Sequence, residues 1–167
     1  MNILLKELTA NEVSKKYVRW LNSNDVNKFT EQRFSKHTLS SVKKYVKIKH
    51  KSKNEFLFGI FLDNKTHIGN IKLGPINYYH KTSFISYFIG DKKFRSRGIM
   101  TKVFQKLIKV AKNKFKLKKI QAGIYEYNLA SKNLLIKNKF KLEGSFNYQL
   151  LYKNKRCKKL IYGKIIR

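Results

Sequence analysis

Apolar positions divide the chain into short runs of two different periods. Ile3 to Glu7 reads as a first strand, and Asn11 to Leu21 then sets Val13, Tyr17, Trp20 and Leu21 at the spacing of one helix face. Ser40 or Ser41 can cap a second helix, which shows Val42, Tyr45 and Val46, with Lys49 at its edge. From Glu55 the period becomes that of strands. FLFGIFLD (56–63) and THIGNIKLG (66–74), joined by the turn-forming Asp63-Asn64-Lys65, predict a hairpin, and Thr82 to Gly90 predicts a third strand after a loop around Pro75. The strongest helical stripe places Ile99, Val103, Phe104, Leu107, Ile108 and Ala111 on one side and lysines on the other, between Gly98 and Lys114. Ile120, Ala122 and Ile124 then alternate with Gln121, Gly123 and Tyr125 as a strand, and Ala130 to Asn138 is a short helix carrying Leu134 and Leu135. Leu142 to Tyr152 and Lys158 to Ile166 close the pattern as two strands. This order of elements predicts a mixed α/β domain.

Length and composition narrow the picture. With 167 residues, 42% of them hydrophobic, the chain can bury one core but not two, so residues 1–167 are expected to form a single domain. MNILLKELTA has neither the length of a membrane span nor the layout of a signal peptide, which predicts a cytoplasmic protein. The single cysteine, Cys157, excludes an intrachain disulfide and stands alone as a nucleophile without an evident base. The histidines and this cysteine show no metal-ligand spacing, so no metal is expected. A formal charge of +30, from 39 basic and 9 acidic residues, favours anionic ligands. Because the lysines are spread along the whole chain, that charge reads as background that helps with a phosphorylated ligand, or as the footprint of a polyanionic partner.

The chemistry concentrates in SYFIGDKKFRSRGIMTKVFQKLIKVA (86–111), where an apolar strand passes through a basic turn containing Gly98 directly into the long helix. Such a turn aims unpaired backbone N–H groups and the positive end of the helix dipole at one spot. A phosphate fits there, with charge added by Arg95 and Arg97. Physics alone equally allows an ordinary strand-to-helix turn in which the glycine relieves strain.

The residues then show a resemblance. Arg95-x-x-Gly98-x-Met100 resembles the pyrophosphate motif of GNAT acetyltransferases, and Asn128-Leu129-Ala130-Ser131 followed by Phe140 and Glu143-Gly144 is similar to a run in the branch holding ribosomal-protein alanine N-acetyltransferases and sugar-nucleotide N-acetyltransferases. YVRWLN (17–22), TEQRFSKHT (30–38), IGNIKLGPIN (68–77) and FIGDKK (88–93) resemble segments of GNAT enzymes of bacterial surface-polysaccharide biosynthesis. The resemblance implies a mostly antiparallel twisted sheet of about seven strands flanked by about four helices. It also implies acetyl-CoA as acyl donor, held by Phe88, Ile89 and Gly90, by Arg95, Ser96, Arg97, Gly98, Ile99, Met100 and Thr101, and by Asn128 and Ser131. Two positions depart from the pattern. Met100 replaces a small residue and is expected to point into the core, and Leu135 stands where many members carry the tyrosine that protonates the departing thiolate.

Direct transfer to an amine needs only a weak base, since typical α-amines have pKa values of about 7.7 to 8.0. Glu31, His37 and His80 are the candidate bases, and Ser131 is a candidate proton donor or a helix cap. Developing charge on the thioester oxygen is expected to meet backbone N–H groups near Phe88 to Gly90. Glu31, Arg33, His37, Asn77, Tyr78 and Tyr79 are the expected acceptor-binding residues. The expected partner is a small amine, phosphorylated or nucleotide-linked, with no specific nucleic acid and no membrane span, and a dimer is compatible with the sequence. The alternatives are acetylation of a protein N terminus or antibiotic-like amine, and a nucleic-acid-binding module using Tyr78, Tyr79, Tyr125 and Tyr127, tyrosines that could equally line an acceptor pocket.

Overall fold

The computed structural model describes residues 2–63 and 65–167, so Met1 and the Asn64 position of the expected hairpin turn lie outside the described residues. Seven strands form one sheet in the order β1-β2-β3-β4-β5-β7-β6, with β1 Ile3–Glu7, β2 Phe56–Leu62, β3 Thr66–Asn77, β4 Thr82–Ile89, β5 Lys119–Tyr125, β6 Lys141–Tyr152 and β7 Lys155–Ile165. Every neighbouring pair is antiparallel except β4 and β5. The helices are α1 Lys15–Asn22, the single turn α2 Asn24–Asn27, α3 Leu39–Lys51, α4 Ile99–Asn113 and α5 Leu129–Lys137.

Strand alternation sends side chains to both faces of the one sheet, and each face is covered by its own apolar layer. One face of the sheet contributes Ile71, Ile85, Ile120, Ala122 and Ile124, which pack against Ile99, Val103, Phe104, Leu107 and Ala111 of α4 and Leu135 of α5. The other face contributes Leu57 and Phe61, which pack with Tyr17, Trp20 and Leu21 of α1 and with Val42 and Val46 of α3. The result is three layers with the sheet in the middle.

Local chemistry moved several boundaries from their expected places. The first helix does not run unbroken from Asn11. Thr9 caps a 3-10 turn at Ala10–Glu12, Val13 is extended, and Ser14 accepts the Tyr17 N–H to start α1 afresh. Burial opposes ionisation of Glu12, yet hydrogen bonds from Lys6 and Thr9 hold its pKa down to about 2. Thr38, rather than Ser40 or Ser41, caps α3, and Ser41 completes a reciprocal pair with it. β3 also runs through the expected loop at Pro75, because a register shift between Leu73 and Ile76 takes that residue, which has no N–H, out of the ladder.

The α1 layer is fastened to the end of β4 by close packing. A Cβ on Gly90 would lie 2.0 Å from Trp20 Cδ2, so the indole fits only against a bare backbone. Gly90→Val is therefore expected to destabilise the fold by at least about 1–3 kcal/mol through overpacking, read as a lowered urea midpoint. An unchanged midpoint would contradict this packing.

Candidate active site

β4 and β5 pair over only three residues, Thr82 with Lys119, Ser83 with Ile120 and Phe84 with Gln121. Beyond that point β4 stays with β3 as far as Ile89, and β5 stays with β7 as far as Tyr125. The two strands therefore part and leave a cleft between Ile85–Ile89 and Ala122–Tyr125. The Gly90 N–H donates to Ile68 O at 2.9 Å, so antiparallel alternation turns the N–H groups of Phe88 and Gly90 toward β3 and those of Tyr87 and Ile89 toward the cleft. This corrects the expectation that Phe88 and Gly90 face a developing oxyanion. Among the expected donors, Ile89 keeps that position, and Tyr87 joins it.

The turn after β4 closes one end of the cleft. Ser96 and Gly98 both adopt left-handed backbone, at φ 58° and 69°, which folds successive N–H groups inward before α4 begins. Gly98 is the N-cap of α4 and offers no side-chain bond, so the first N–H groups of the helix are left without a protein partner. A Cβ on Gly98 would meet nothing within 4 Å, which means that the space over the turn is open to a ligand. Met100 points away from it into the core, as expected. This cradle of donors suits an anionic group.

Arg95 has a different task from the one expected. Its Nε and Nη2 donate to the carbonyls of Ile89 and Gly90, at 3.0 and 3.2 Å, and its Nη1 reaches Asp25 Oδ2 of α2 at 2.6 Å. The side chain ties the turn to β4 and to the α1 layer, so the cradle rests on backbone groups, with Arg97 exposed beside them. On the other lip, Asn128 Oδ1 accepts the Ser131 N–H at 3.2 Å and caps α5. Asn128 is thus the cap, and the Ser131 hydroxyl is free for other work.

Acceptor-side candidates separate into two groups. Glu31 and Arg33 lie in a 3-10 turn, Glu31–Phe34, that crosses the C-terminal end of β5. Tyr125 Oη donates to Glu31 Oε1 at 2.7 Å and accepts from Arg33 Nη1 at 2.9 Å. The Arg33 guanidinium lies over the rings of Phe34 and Tyr125 and also donates to Leu151 O in β6. Burial and then the Glu31 carboxylate push the Tyr125 hydroxyl up to about 12, so it stays a donor at neutral pH. Phe29, Tyr127 and Tyr152 complete an aromatic wall, with ring centroids 4.9 Å apart for Phe29–Tyr152 and 5.7 Å for Tyr127–Tyr152. His37 is near but occupied: its ring nitrogen lies 3.0 Å from Gln32 O, and its backbone exchanges hydrogen bonds with Asn22.

Asn77, Tyr78, Tyr79 and His80 lie elsewhere. Asn77 ends β3 and the other three form the turn into β4, at the paired ends of β4 and β5, roughly 20 Å of strand from the cleft mouth. Asn77 Oδ1 accepts the His80 N–H at 2.9 Å and shapes that turn. The structure therefore does not bring His80 to the cleft as a base, nor Asn77, Tyr78 and Tyr79 as acceptor-binding groups. It also splits the four-tyrosine cluster between opposite ends of the sheet. A cavity of about 380 Å³ at this far end, lined by Lys81, Lys112, Lys116 and Lys118, shares none of the cleft residues.

The sequence did not single out Tyr87, Phe29 or Tyr152, and it offered Tyr125 with Tyr78, Tyr79 and Tyr127 as a nucleic-acid platform or an acceptor-pocket lining. Their signal was weak because each is one more aromatic residue on an apolar strand or loop. Cys157 is buried, which pushes its thiol pKa up and leaves it unsuited to nucleophilic work.

Comparison with known proteins bears on the family and the fold. Residues 2–141 match the family described as the acetyltransferase (GNAT) domain. Over 92 residues, 54% of this chain, the sequence is 37% identical to a probable N-acetyltransferase of Bacillus subtilis, YjcK, of which the match spans half the length. The fold superposes with a TM-score of 0.88 on RimL, a ribosomal L7/L12 alpha-N-protein acetyltransferase in complex with coenzyme A, at 19% identity over 99% of this chain and 95% of that one. It superposes at 0.87 on a spermidine N-acetyltransferase from Vibrio cholerae in complex with coenzyme A and spermine, at 14% identity over 98% and 95%. At such identities the two structures speak for the fold alone. The family match covers most of the chain and includes the turn around Gly98, and the chain belongs to the GNAT acetyltransferase family.

Proposed function

We propose that this protein transfers an acetyl group from acetyl-CoA directly to the primary amine of an anionic small molecule, a nucleotide-linked amino sugar in surface glycan assembly. The observation that carries the reading is the parting of β4 from β5 beside an uncapped, glycine-opened helix start. Acetyl-CoA supplies an activated acyl carbon, and the protein's own groups orient it. Backbone N–H groups of Ile99, Met100 and Thr101 hold the pyrophosphate, and those of Tyr87 and Ile89 face the thioester oxygen.

The acceptor reading follows from charge. Six of the nine carboxylates are matched to a lysine, arginine or histidine, and among the described residues only Glu31, Asp63 and Glu126 make no ion pair. Glu31 and Glu126 stand at the open end of β5, so the cleft mouth keeps one or two carboxylates for an amine within an otherwise cationic surface. Glu31 receives the amine's proton, directly or through water. A polyamine needs several carboxylates and is repelled by a net charge of +30, whereas a nucleotide finds the Phe29, Tyr127 and Tyr152 wall for its base and lysines for its phosphates. A second reading, the N terminus of an acidic protein, draws on the exposed face of β6, where Phe146 and Tyr148 are open to a larger partner. A cytoplasmic location, where acetyl-CoA is made available, suits both readings. No described helix is long and apolar enough to cross a membrane.

Three outcomes follow. Acetyl-CoA at 100 times its dissociation constant is expected to stabilise the protein by about 2.7 kcal/mol, seen as a raised melting temperature. Gly98→Trp should still fold, losing about 1–2 kcal/mol to a side chain at left-handed φ 69° while that side chain enters open space, yet lose that shift. Unchanged affinity in the folded variant would count against the cradle. Thiol release with a panel of amino-sugar nucleotides is expected to rise with pH through the amine's pKa, about 7.7 to 8.0, and to fall about 100-fold in Glu31→Gln. A panel that yields release only with peptides would move the assignment to the second reading. Finally, nucleic acid should bind without sequence preference and dissociate steeply with salt while acetyl transfer persists. A sequence-selective complex at physiological salt, with no thiol release for any amine, would overturn the enzyme.

A further inference from the structure

Tyr87 sits on the β4 lip of the cleft with its ring edge-on to Phe104 of α4, at a centroid distance of 4.8 Å. Its hydroxyl is buried and makes no hydrogen bond, an unusual state for a phenol enclosed by protein. Against the burial that raises the Tyr87 pKa, the one side chain that lowers it is Ser131, at the start of α5 on the opposite lip, although no hydrogen bond joins the two. Ser131 Oγ has no hydrogen-bond partner of its own among the described residues, because Asn128 has taken over the capping of α5. Two hydroxyls without a protein hydrogen-bond partner thus stand on the two sides of the parting between β4 and β5. Leu135, fully buried at the position of the family's general acid, supplies no proton.

We infer that Tyr87 is a positioning residue for the leaving thiol: its hydroxyl donates to Ser131 Oγ, which turns the serine O–H toward the sulfur. The inference rests on the acetyl-CoA reading above. As the amine nitrogen bonds to the acyl carbon, the C–S bond breaks and its electron pair leaves on sulfur. The nitrogen's proton passes to Glu31 or water, and the thiolate is finally protonated from solvent. The two hydroxyls keep their own protons throughout. Burial pushes the Tyr87 phenol up to about 12, and an unperturbed thiol lies near 8.5, so handing over the phenolic proton is uphill by some three to four units. The pair therefore stabilises the thiolate as hydrogen-bond donors in series.

Tyr87→Phe keeps the ring against Phe104 and removes only the hydroxyl. The test is the titration of the thiol of bound coenzyme A, followed by thiolate absorbance, in the wild type, Tyr87→Phe and Ser131→Ala. The bound thiol is expected to titrate about one unit lower in the wild type than in either variant. The acetyl-CoA melting shift should be the same in the wild type and Tyr87→Phe, which changes no group placed on the donor. In turnover, each variant should lose about tenfold in kcat with little change in KM, and the double variant should be no worse than the poorer single one. Equal thiol titration in the wild type and Tyr87→Phe, or losses that multiply in the double variant, would overturn the inference while leaving acetyl transfer intact. Absence of any wild-type melting shift with acetyl-CoA would instead remove the donor reading and this inference with it.

Discussion

Everything functional in this fold depends on one unfinished pairing. A parallel pair of strands inside a sheet normally satisfies both backbones along its length, but β4 and β5 separate after Phe84 and Gln121. Each strand keeps a partner on its outer side, so the sheet holds while the inner edges carry unsatisfied N–H and C=O groups. Buried backbone groups without partners cost free energy comparable to a lost hydrogen bond. The uncapped start of α4 adds further unpartnered donors at the same place. The opening is held by packing on both faces: α4 and α5 support one, and the α1 layer, clamped by Trp20 on Gly90 and by Arg95 on Asp25, supports the other.

That clamp joins the turn before α4 to the α1 layer. Arg95 was expected beside a phosphate, yet its guanidinium spans the Ile89 and Gly90 carbonyls and the Asp25 carboxylate. The same α1 layer continues into the turn holding Glu31 and Arg33, which reaches Tyr125 at the end of β5. One continuous segment thus bridges the open ends of both strands. Charge follows the same logic. With 39 basic residues and 9 acidic ones, most carboxylates are drawn into ion pairs, and the pairs are mostly exposed or half-buried, where each contributes little to stability. A carboxylate left free at the cleft mouth is then a chemical resource that the rest of the surface lacks.

Much of this was legible in the residue pattern. The 3.6-residue stripe from Ile99 to Ala111 and the alternation at Ile120 to Ile124 fixed α4 and β5 to within a residue or two, because both bury one strongly apolar face. Gly98 was legible because left-handed backbone before a helix favours glycine. Long-range placement was not. Local sequence could not show that His80, Tyr78 and Tyr79 lie at the paired end of β4 while Tyr125 lies at the open end, since that depends on strand direction and on where the pairing stops. Nor could it show that Asn128 would take the cap and free Ser131, or that Thr38 would cap α3 ahead of Ser40 and Ser41. Those outcomes turn on backbone geometry within a single turn, where several side chains offer the same chemistry.

Residue-resolved hydrogen–deuterium exchange with and without acetyl-CoA tests the central claim most directly. The account predicts slowed exchange at the amides of Tyr87 and Ile89, which face the cleft, and at Ile99, Met100 and Thr101, with no change at Lys81, Lys116 and Lys118 around the far cavity. Protection confined to that lysine-lined end, with Tyr87 and Ile89 exchanging as before, would contradict it.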